Sequence, residues 1–414
     1  MEPIVQFLIH LIEYLIFIYL LLATVYITIF GIGAIFYRKP KSITASKFRK
    51  IAVLIPGYKE DKVIIGVARD ALEQDYPADR FDVIVIADTF KQETLDALRA
   101  IPVRVVEVVF EVSKKSKALN KCMEVIGDEY DIAVILDADN IMDHSVLQQI
   151  NAAFERGFVA VQGHRTAKNL NTPYAVLDAI SEEINNNIFR KGHRALGLSS
   201  ALIGSGMGMD YKLYKATMAT IDSVGEDKEV ELKFLRDRIT IEYLPDAHVY
   251  DEKTSRSDVF VNQRRRWLAA QFVYVRTHLV DGIVQLLTKG NIDYFDKVVQ
   301  FMQPPRILLT GLSFLFTLLY LLLQLIWPEL YDELALDFPK WLSIFIISSL
   351  ILLFNTPARF YSGKTLTALL YLPSGFLLML KSLLRIKGAS KKFIHTTHEH
   401  TDHNVKKKGT PGKK

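Results

Sequence analysis

The chain has 414 residues, half of them hydrophobic and 23% charged, with a formal net charge of +5 at neutral pH. So small an excess, gathered beside apolar runs, excludes nucleic acid as the expected partner and suits anionic lipid headgroups. The single cysteine, Cys122, excludes an internal disulfide and a cysteine zinc cage, and reads as a buried thiol.

From Ile4 to Phe36 the chain is apolar apart from His10 and Glu13. That run is long enough to cross a hydrocarbon core of roughly 30 Å with tilt to spare. A cleaved leader has a basic start and a shorter core. Here the basic residues follow the run, as Arg38, Lys39, Lys41, Lys47, Arg49 and Lys50, so residues 1–37 read as a retained transmembrane helix. The positive flank belongs in the cytoplasm, which sends the amino terminus outward and starts the following domain inside the cell. His10 and Glu13, ionisable at membrane depth, admit a transport role, but transport leaves the motifs farther along unexplained.

Residues 45–290 alternate short apolar stretches with helical ones. Ile51–Ile55, Val83–Ala87, Val103–Val109 and Ile132–Leu136 read as strands, and Asp61–Glu73 and Lys115–Ile126 as crossover helices. Strands so continuously apolar are covered on both faces, which predicts a doubly wound, mostly parallel α/β sheet. Polar residues gather where these strands end, and ligands of such sheets bind outside the carboxyl ends of the strands.

After the first strand, Pro56-Gly-Tyr-Lys-Glu60 forms a turn in which Tyr58 can cover a base and Glu60 can accept hydrogen bonds from it or its ribose. Asp88 ends the second strand. Lys117 lies near a helix start, a place that suits phosphate, although a solvated helix face is the default reading of such a lysine. Val134-Ile-Leu-Asp-Ala-Asp-Asn140 ends a buried run in two carboxylates, Asp137 and Asp139. Desolvating such a pair is costly without a neutralising partner, so it invites Mg2+ or Mn2+ with attached phosphates; a surface turn is the plain alternative.

Gly204-Ser205-Gly206 is a bend able to line a sugar site. Glu226 and Asp227 open an amphipathic helix, where the dipole favours an ionised Asp227, a group that is either a base or simply a cap. In Gln263-Arg-Arg-Arg-Trp267 the end residues share a helix face, the arginines suit a diphosphate and the indole suits a sugar ring. An interfacial helix accounts for the same string.

Residues 291–386 form a carboxyl-terminal membrane region, with apolar runs Ile307–Trp327, Trp341–Phe354 and Thr365–Leu380 and with Trp327 and Trp341 as expected interfacial anchors. Three crossings would leave the tail outside, yet residues 381–414 hold ten Lys or Arg against two acids. Either one of the last two runs is re-entrant or interfacial, or the basic, His-rich tail 387–414 is external despite its charge; a cytoplasmic tail is the expectation.

Taken in order, Pro56 to Glu60, Asp88, Asp137-Ala-Asp139, Gly204-Ser-Gly206, Glu226-Asp227 and Gln263-x-x-Arg266-Trp267 resemble the motif series of processive membrane family 2 glycosyltransferases, which include cellulose, chitin and hyaluronan synthases. The resemblance implies a GT-A domain inserted between transmembrane helices of a multi-pass protein of the inner (plasma) membrane, with its catalytic domain cytoplasmic. It implies a UDP-sugar donor held by Pro56, Tyr58, Glu60, Asp88, Lys117 and Asp137, a divalent cation on Asp139, and Asp227 as base in an inverting transfer. Gly204, Ser205, Gly206, Glu226, Gln263, Arg266 and Trp267 would border the acceptor and diphosphate. Phe393, Thr396 and His398 resemble a gating motif of the same synthases. The expected product is a growing β-linked polysaccharide. The rivals are a single transfer to a lipid such as a diacylglycerol or polyprenyl carrier, and a non-catalytic nucleotide- or glycan-binding membrane protein. Two departures bear on the product: Gln92 stands where an acid often follows Asp88, and the membrane helices are few.

Overall fold

Alternation along the strands builds two apolar layers on one sheet. In the computed structural model the chain is described over residues 2–40, 43, 45–223, 225–253 and 257–384, with 257–264 and 384 by backbone alone. Phe393, Thr396, His398 and the histidines of the tail lie outside the described residues. The strands are β1 (Ile51–Tyr58), β2 (Phe81–Asp88), β3 (Arg104–Val108), β4 (Ile132–Ile135), β5 (Ile141–Met142), β6 (Ala160–Ala167), β7 (Met207–Asp210) and β8 (Ile241–Asp251). They form one sheet in the order β3-β2-β1-β4-β7-β6-β8-β5, in which only β7 and β5 oppose the common direction.

The helices are α1 (Pro3–Ile35), α2 (Ile64–Leu72), α3 (Gln92–Arg99), α4 (Lys115–Ile126), α5 (Val146–Glu155), α6 (Pro173–Asn185), α7 (His193–Ala195), α8 (Tyr211–Met218), α9 (Glu226–Arg236), α10 (Ser257–Lys289), α11 (Ile292–Met302), α12 (Arg306–Ile326), α13 (Pro328–Asp332), α14 (Phe338–Phe354), α15 (Gly363–Leu369) and α16 (Leu372–Leu384). Ile51, Val53 and Ile55 of β1 join one core with Ile64 of α2 and Ile150 of α5, whereas Ala52 and Leu54 join the other with Leu119 of α4 and Phe234 of α9. Both faces are thus covered, as the unbroken apolar strands require. The predicted strands are present. β1 runs three residues beyond its predicted end because its pairing with β2 holds from Ile51–Phe81 through Tyr58–Asp88.

β1 and β4 are neighbours, while β2 and β3 lie on the other side of β1. The chain reverses direction of travel across the sheet there, which is the position where such sheets leave a crevice. Lys59 and Thr89, just past the ends of β1 and β2, have φ of 57° and 62°. Left-handed non-glycine residues cost free energy and tend to gather at functional sites.

Among the described residues two helices, α1 and α12, are long and apolar enough to span a membrane, and α15 with α16 would make a third only as a pair bent by 45°. α15 packs on α6, and α16 packs on both α10 and α12. α12 and the segment after α14 are tied to the sheet domain by Arg306, which donates to Asn185 Oδ1 (2.6 Å) and Ser181 O (2.9 Å), and by Arg359 on the Glu183 carboxylate. α1 crosses the π-helical stretch Asn186–Gly192 so closely that a β-carbon on Gly192 would fall 2.0 Å from the Phe30 carbonyl oxygen.

Two expectations about the apolar helices change. Trp341 is fully buried instead of interfacial: it stacks on Phe316 (4.4 Å between centroids) and meets Phe17 edge-on at 5.2 Å. α14 starts three residues earlier than its apolar run, at a cap made by Asp337, and this turns Trp341 toward α1 and α12. Trp327 is 59% exposed. Glu13 is a structural ligand of the loop after α12. Its carboxylate accepts from the Tyr320 hydroxyl and from Ala335 N (3.0 Å), while a ring nitrogen of His10 lies 2.7 Å from Glu333 O.

Candidate active site

Each carboxylate of the site owes its position to a strand or helix end. β4 stops at Ile135 and the chain turns through Asp137, Ala138 and Asp139 before β5. Ser205 holds this turn: its hydroxyl accepts from Asp137 N (3.0 Å) and donates to the Asn140 side-chain oxygen (2.6 Å). The Asn140 amide nitrogen then donates to Asp139 Oδ1 (3.2 Å) and to Asp251 Oδ1 (3.0 Å). Asp139 is thereby oriented although only 6% exposed.

Lys115 is the charge at the centre. It is the first residue of α4, and its Nζ lies 2.5 Å from Asp137 Oδ1, 2.7 Å from Gly204 O and 3.4 Å from Glu226 Oε1. Burial opposes its charge, but Asp137, Glu226 and Asp227 together hold its pKa above the usual lysine value. Glu226 responds in the opposite sense. Burial pushes its pKa up to about 7, Lys115 pulling it down and the neighbouring Asp227 pushing it up. Lys115 sits closer to Asp137 and serves that carboxylate first, so Glu226 keeps most of its desolvation cost.

Asp227 lies in the first turn of α9, whose cap position is Gly225, so the cap explanation for this aspartate does not hold. Gly204 has φ +82°, and a β-carbon there would stand 3.7 Å from Asp227 Oδ2 and 3.8 Å from Lys115 Nζ. The bend at residue 204 therefore lets the β4 turn and the α9 terminus approach each other around one amine. Lys228 Nζ lies 3.7 Å from Asp227 Oδ2 and 3.2 Å from Glu231 Oε2, and Glu231 pairs with Lys297 of α11 at 2.7 Å. Burial lowers the Lys297 pKa to about 8.

One cavity of about 2290 Å³ is lined by Pro56, Tyr58, Glu60, Asp88, Asp137, Asp139, Gly204, Glu226, Asp227, Arg266 and Trp267, all of them predicted site residues. Trp267 offers a side chain 41% exposed, and burial lowers the Arg266 pKa. Ser205 and Gly206 lie behind the wall, Ser205 holding the turn and Gly206 packed so that a β-carbon would meet Val249 at 2.8 Å. Gln263 belongs to α10, and its side chain lies outside the described residues.

Lys117 is not among the lining residues; Lys115 occupies the place proposed for it. On α4, Lys117, Lys121 and Glu124 fall at i, i+4 and i+7, a polar face, whereas Ser116, Leu119, Met123 and Ile126 are buried. That periodicity is the signal that assigns the two lysines. Sequence reasoning also missed a buried network at the cavity's waist. Arg165 pairs with Glu182 (3.0 Å) and Asp251 (3.8 Å), Lys253 with Asp251 (2.7 Å) and Glu182 (3.7 Å), and Arg190 with Glu182 (3.6 Å). These residues come from β6, α6, the 186–192 stretch and the end of β8, and no local pattern joins them.

Among the described residues no three His, Cys, Asp or Glu side chains form a ready cation cage. A buried Asp139 oriented by Asn140 still fits Mg2+ or Mn2+ chemistry, because such ions are commonly held by one or two carboxylates together with substrate phosphates and water.

The family model described as glycosyltransferase like family 2 matches residues 49–270. No curated protein matches the chain. Among solved structures, the mannosyltransferase PcManGT from Pyrobaculum calidifontis in complex with GDP-Man and Mn2+ is similar over 91% of this chain and 99% of its own, with a TM-score of 0.52 at 13% identity. Glucosyl-3-phosphoglycerate synthase from Mycobacterium tuberculosis covers 56% of this chain and 84% of its own at 17% identity and a TM-score of 0.39. The TarS fragment 1–349 from S. aureus, in complex with UDP, covers 52% and 63% at 16% identity and a TM-score of 0.36. The likeness to the mannosyltransferase is one of fold, and it extends beyond the sheet to almost the whole chain. With the family model spanning more than half of its residues, and with acids at the strand ends around one cavity, the chain belongs to glycosyltransferase-like family 2.

Proposed function

We propose that this protein transfers a hexosyl group from a UDP-sugar to an acceptor hydroxyl at the cytoplasmic face of the inner membrane, with inversion to a β-linkage. The supporting observation is the arrangement of Asp137, Glu226 and Asp227, from two separate chain segments, around Lys115 in a cavity that Asp139 also lines. Tyr58, Glu60, Asp88 and Asp137, at the ends of β1, β2 and β4, hold the nucleoside. Asp139 holds Mg2+ or Mn2+, which when bound neutralises charge on the diphosphate. Asp227 takes the proton of the acceptor hydroxyl as its oxygen bonds to the anomeric carbon. The bond from that carbon to the β-phosphate oxygen breaks, and UDP leaves with the electron pair beside Lys115 and Arg266.

Two acceptors suit the site. A growing β-linked polysaccharide, the product of processive synthases, is favoured by the exposed indole of Trp267 on the cavity wall. A lipid is favoured by the apolar half of the same cavity, developed below. The test common to both is Asp227→Asn. Sugar transfer from a panel of UDP-sugars with Mg2+ or Mn2+ is expected to fall by about 10²- to 10⁴-fold, the contribution of a positioned base, with UDP affinity retained. Turnover unaffected by this change excludes Asp227 as the base, and absence of turnover in the wild-type protein favours a nucleotide- or glycan-binding role.

A further inference from the structure

The cavity does not stop at the charged residues. It continues between α12, α14 and the α15–α16 pair, where Thr310, Phe314, Ser349, Leu353 and Phe376 line it. On α12 the lining runs from Arg306 to Leu315 and no farther. At 1.5 Å per residue that is about 14 Å, close to half of a hydrocarbon core of roughly 30 Å. On α14 the lining begins at Phe345, near the middle of the helix, and continues to its end by the sheet domain.

Beyond that depth the helices are packed shut. Phe314 and Phe345 meet at 5.4 Å between centroids and form the floor. Behind them Trp341 fills the space among Phe17, Phe316 and Tyr320, and Glu13 pins the chain at Ala335 across the far end. An exported glycan needs a path through both leaflets, bordered by groups that bond hydroxyls. This path ends within one leaflet, and its inner wall is mostly hydrocarbon. Leu315, Leu350, Leu353 and Leu377 line it and are also 45–62% exposed, so it opens sideways through an apolar rim.

We propose that the acceptor is a two-chain glycerolipid of the adjoining leaflet, bearing a free hydroxyl, with an acyl chain lying between α12, α14 and the α15–α16 pair. The proposal rests on the glycosyltransferase reading above and names its acceptor. A depth of half a bilayer matches an acyl chain, whereas a long polyprenyl chain exceeds it. At the waist Arg165, Arg190 and Lys253 each have a protein carboxylate within 4 Å, which suits a neutral hydroxyl head better than a phosphate. The lipid hydroxyl lies toward Asp227, attacks the anomeric carbon and gives up its proton there, while UDP departs with the bonding electron pair.

The test uses the full chain in phosphatidylcholine vesicles with a labelled UDP-sugar, Mg2+ or Mn2+, and either 1,2-dioleoylglycerol or 1,2-dihexanoylglycerol. Label is expected in the organic phase as a single-sugar glycolipid when dioleoylglycerol is present. Ser349→Phe, which fills the apolar half one turn above the floor, is expected to cut transfer to dioleoylglycerol at least tenfold through KM. Transfer to the six-carbon acceptor should fall less than threefold, and the affinity for UDP serves as the check on folding. Label in a water-soluble or precipitable polymer overturns the proposal while leaving the transferase reading intact. So does a loss in Ser349→Phe that is equal for both chain lengths, or no loss at all. Failure to consume any UDP-sugar overturns both.

Discussion

Lys115→Met removes the cation on which three carboxylates lean. In the native protein its Nζ is 2.5 Å from Asp137 and 3.4 Å from Glu226, a residue only 5% exposed. Breaking a buried pair from one side costs about 3–5 kcal/mol, because the remaining charge is left unpaired and out of water. At about 2–4 °C per kcal/mol for a domain of this size, the unfolding temperature should fall by roughly 6–20 °C. The loss has a pH signature. Glu226 has its pKa raised to about 7 from an ordinary 4.5, so the folded state binds more protons than the unfolded state between those values. Its contribution is therefore complete at low pH and is lost as pH rises through that window. Without Lys115 the Glu226 pKa rises further, and Lys115→Met should be more damaging at pH 8 than at pH 6. Glu226→Gln should flatten the wild-type slope, and the double variant should recover about 0.5–3 kcal/mol relative to additivity. Thermal unfolding without donor or cation, at both pH values, measures all of this. A shift below about 2 °C for Lys115→Met at pH 8, or a loss unaffected by Glu226→Gln, refutes the account of Lys115 as the keystone of the site.

The Glu231–Lys297 pair joins α9, which carries Asp227, to α11, and both side chains are almost fully buried. Lys297→Met alone should cost about 3–5 kcal/mol of stability, whereas Lys297→Met with Glu231→Leu should come within about 1 kcal/mol of wild type or exceed it, as read by unfolding in micelles. Gly192→Ala drives a β-carbon into the Phe30 carbonyl oxygen, a backbone atom unable to swing aside, so α1 must move off the 186–192 stretch. The expected cost is about 1–3 kcal/mol, with faster proteolysis after α1; an unchanged unfolding temperature means that α1 is not seated there.

Much of the site was legible because strand ends are local events. An apolar run that stops in Asp137-Ala-Asp139 announces both the strand and what lies at its end, and Asp88 and Tyr58 follow the same logic on neighbouring strands. Of the motif series behind the family resemblance, these residues, Gly204, Glu226, Asp227, Arg266 and Trp267 line one cavity, whereas Ser205 and Gly206 lie behind its wall and the Gln263 side chain lies outside the described residues. Strands β5 to β8 were not legible: two residues at Ile141–Met142 carry no periodicity, and β7 becomes a strand only by pairing with β4 and β6.

The amino-acid sequence by itself determined the apolar first helix, the doubly wound sheet and the acids at its edge, since hydrophobic periodicity and desolvation cost act within a few residues of chain. Tertiary structure alone decided that Lys115 and not Lys117 meets Asp137, that Trp341 is buried among α1, α12 and α14, and that the cavity lining on α12 stops at Leu315. Those outcomes depend on which distant segments return to the same place, and a side chain's surroundings, once the chain has closed on itself, set its charge, its burial and its role.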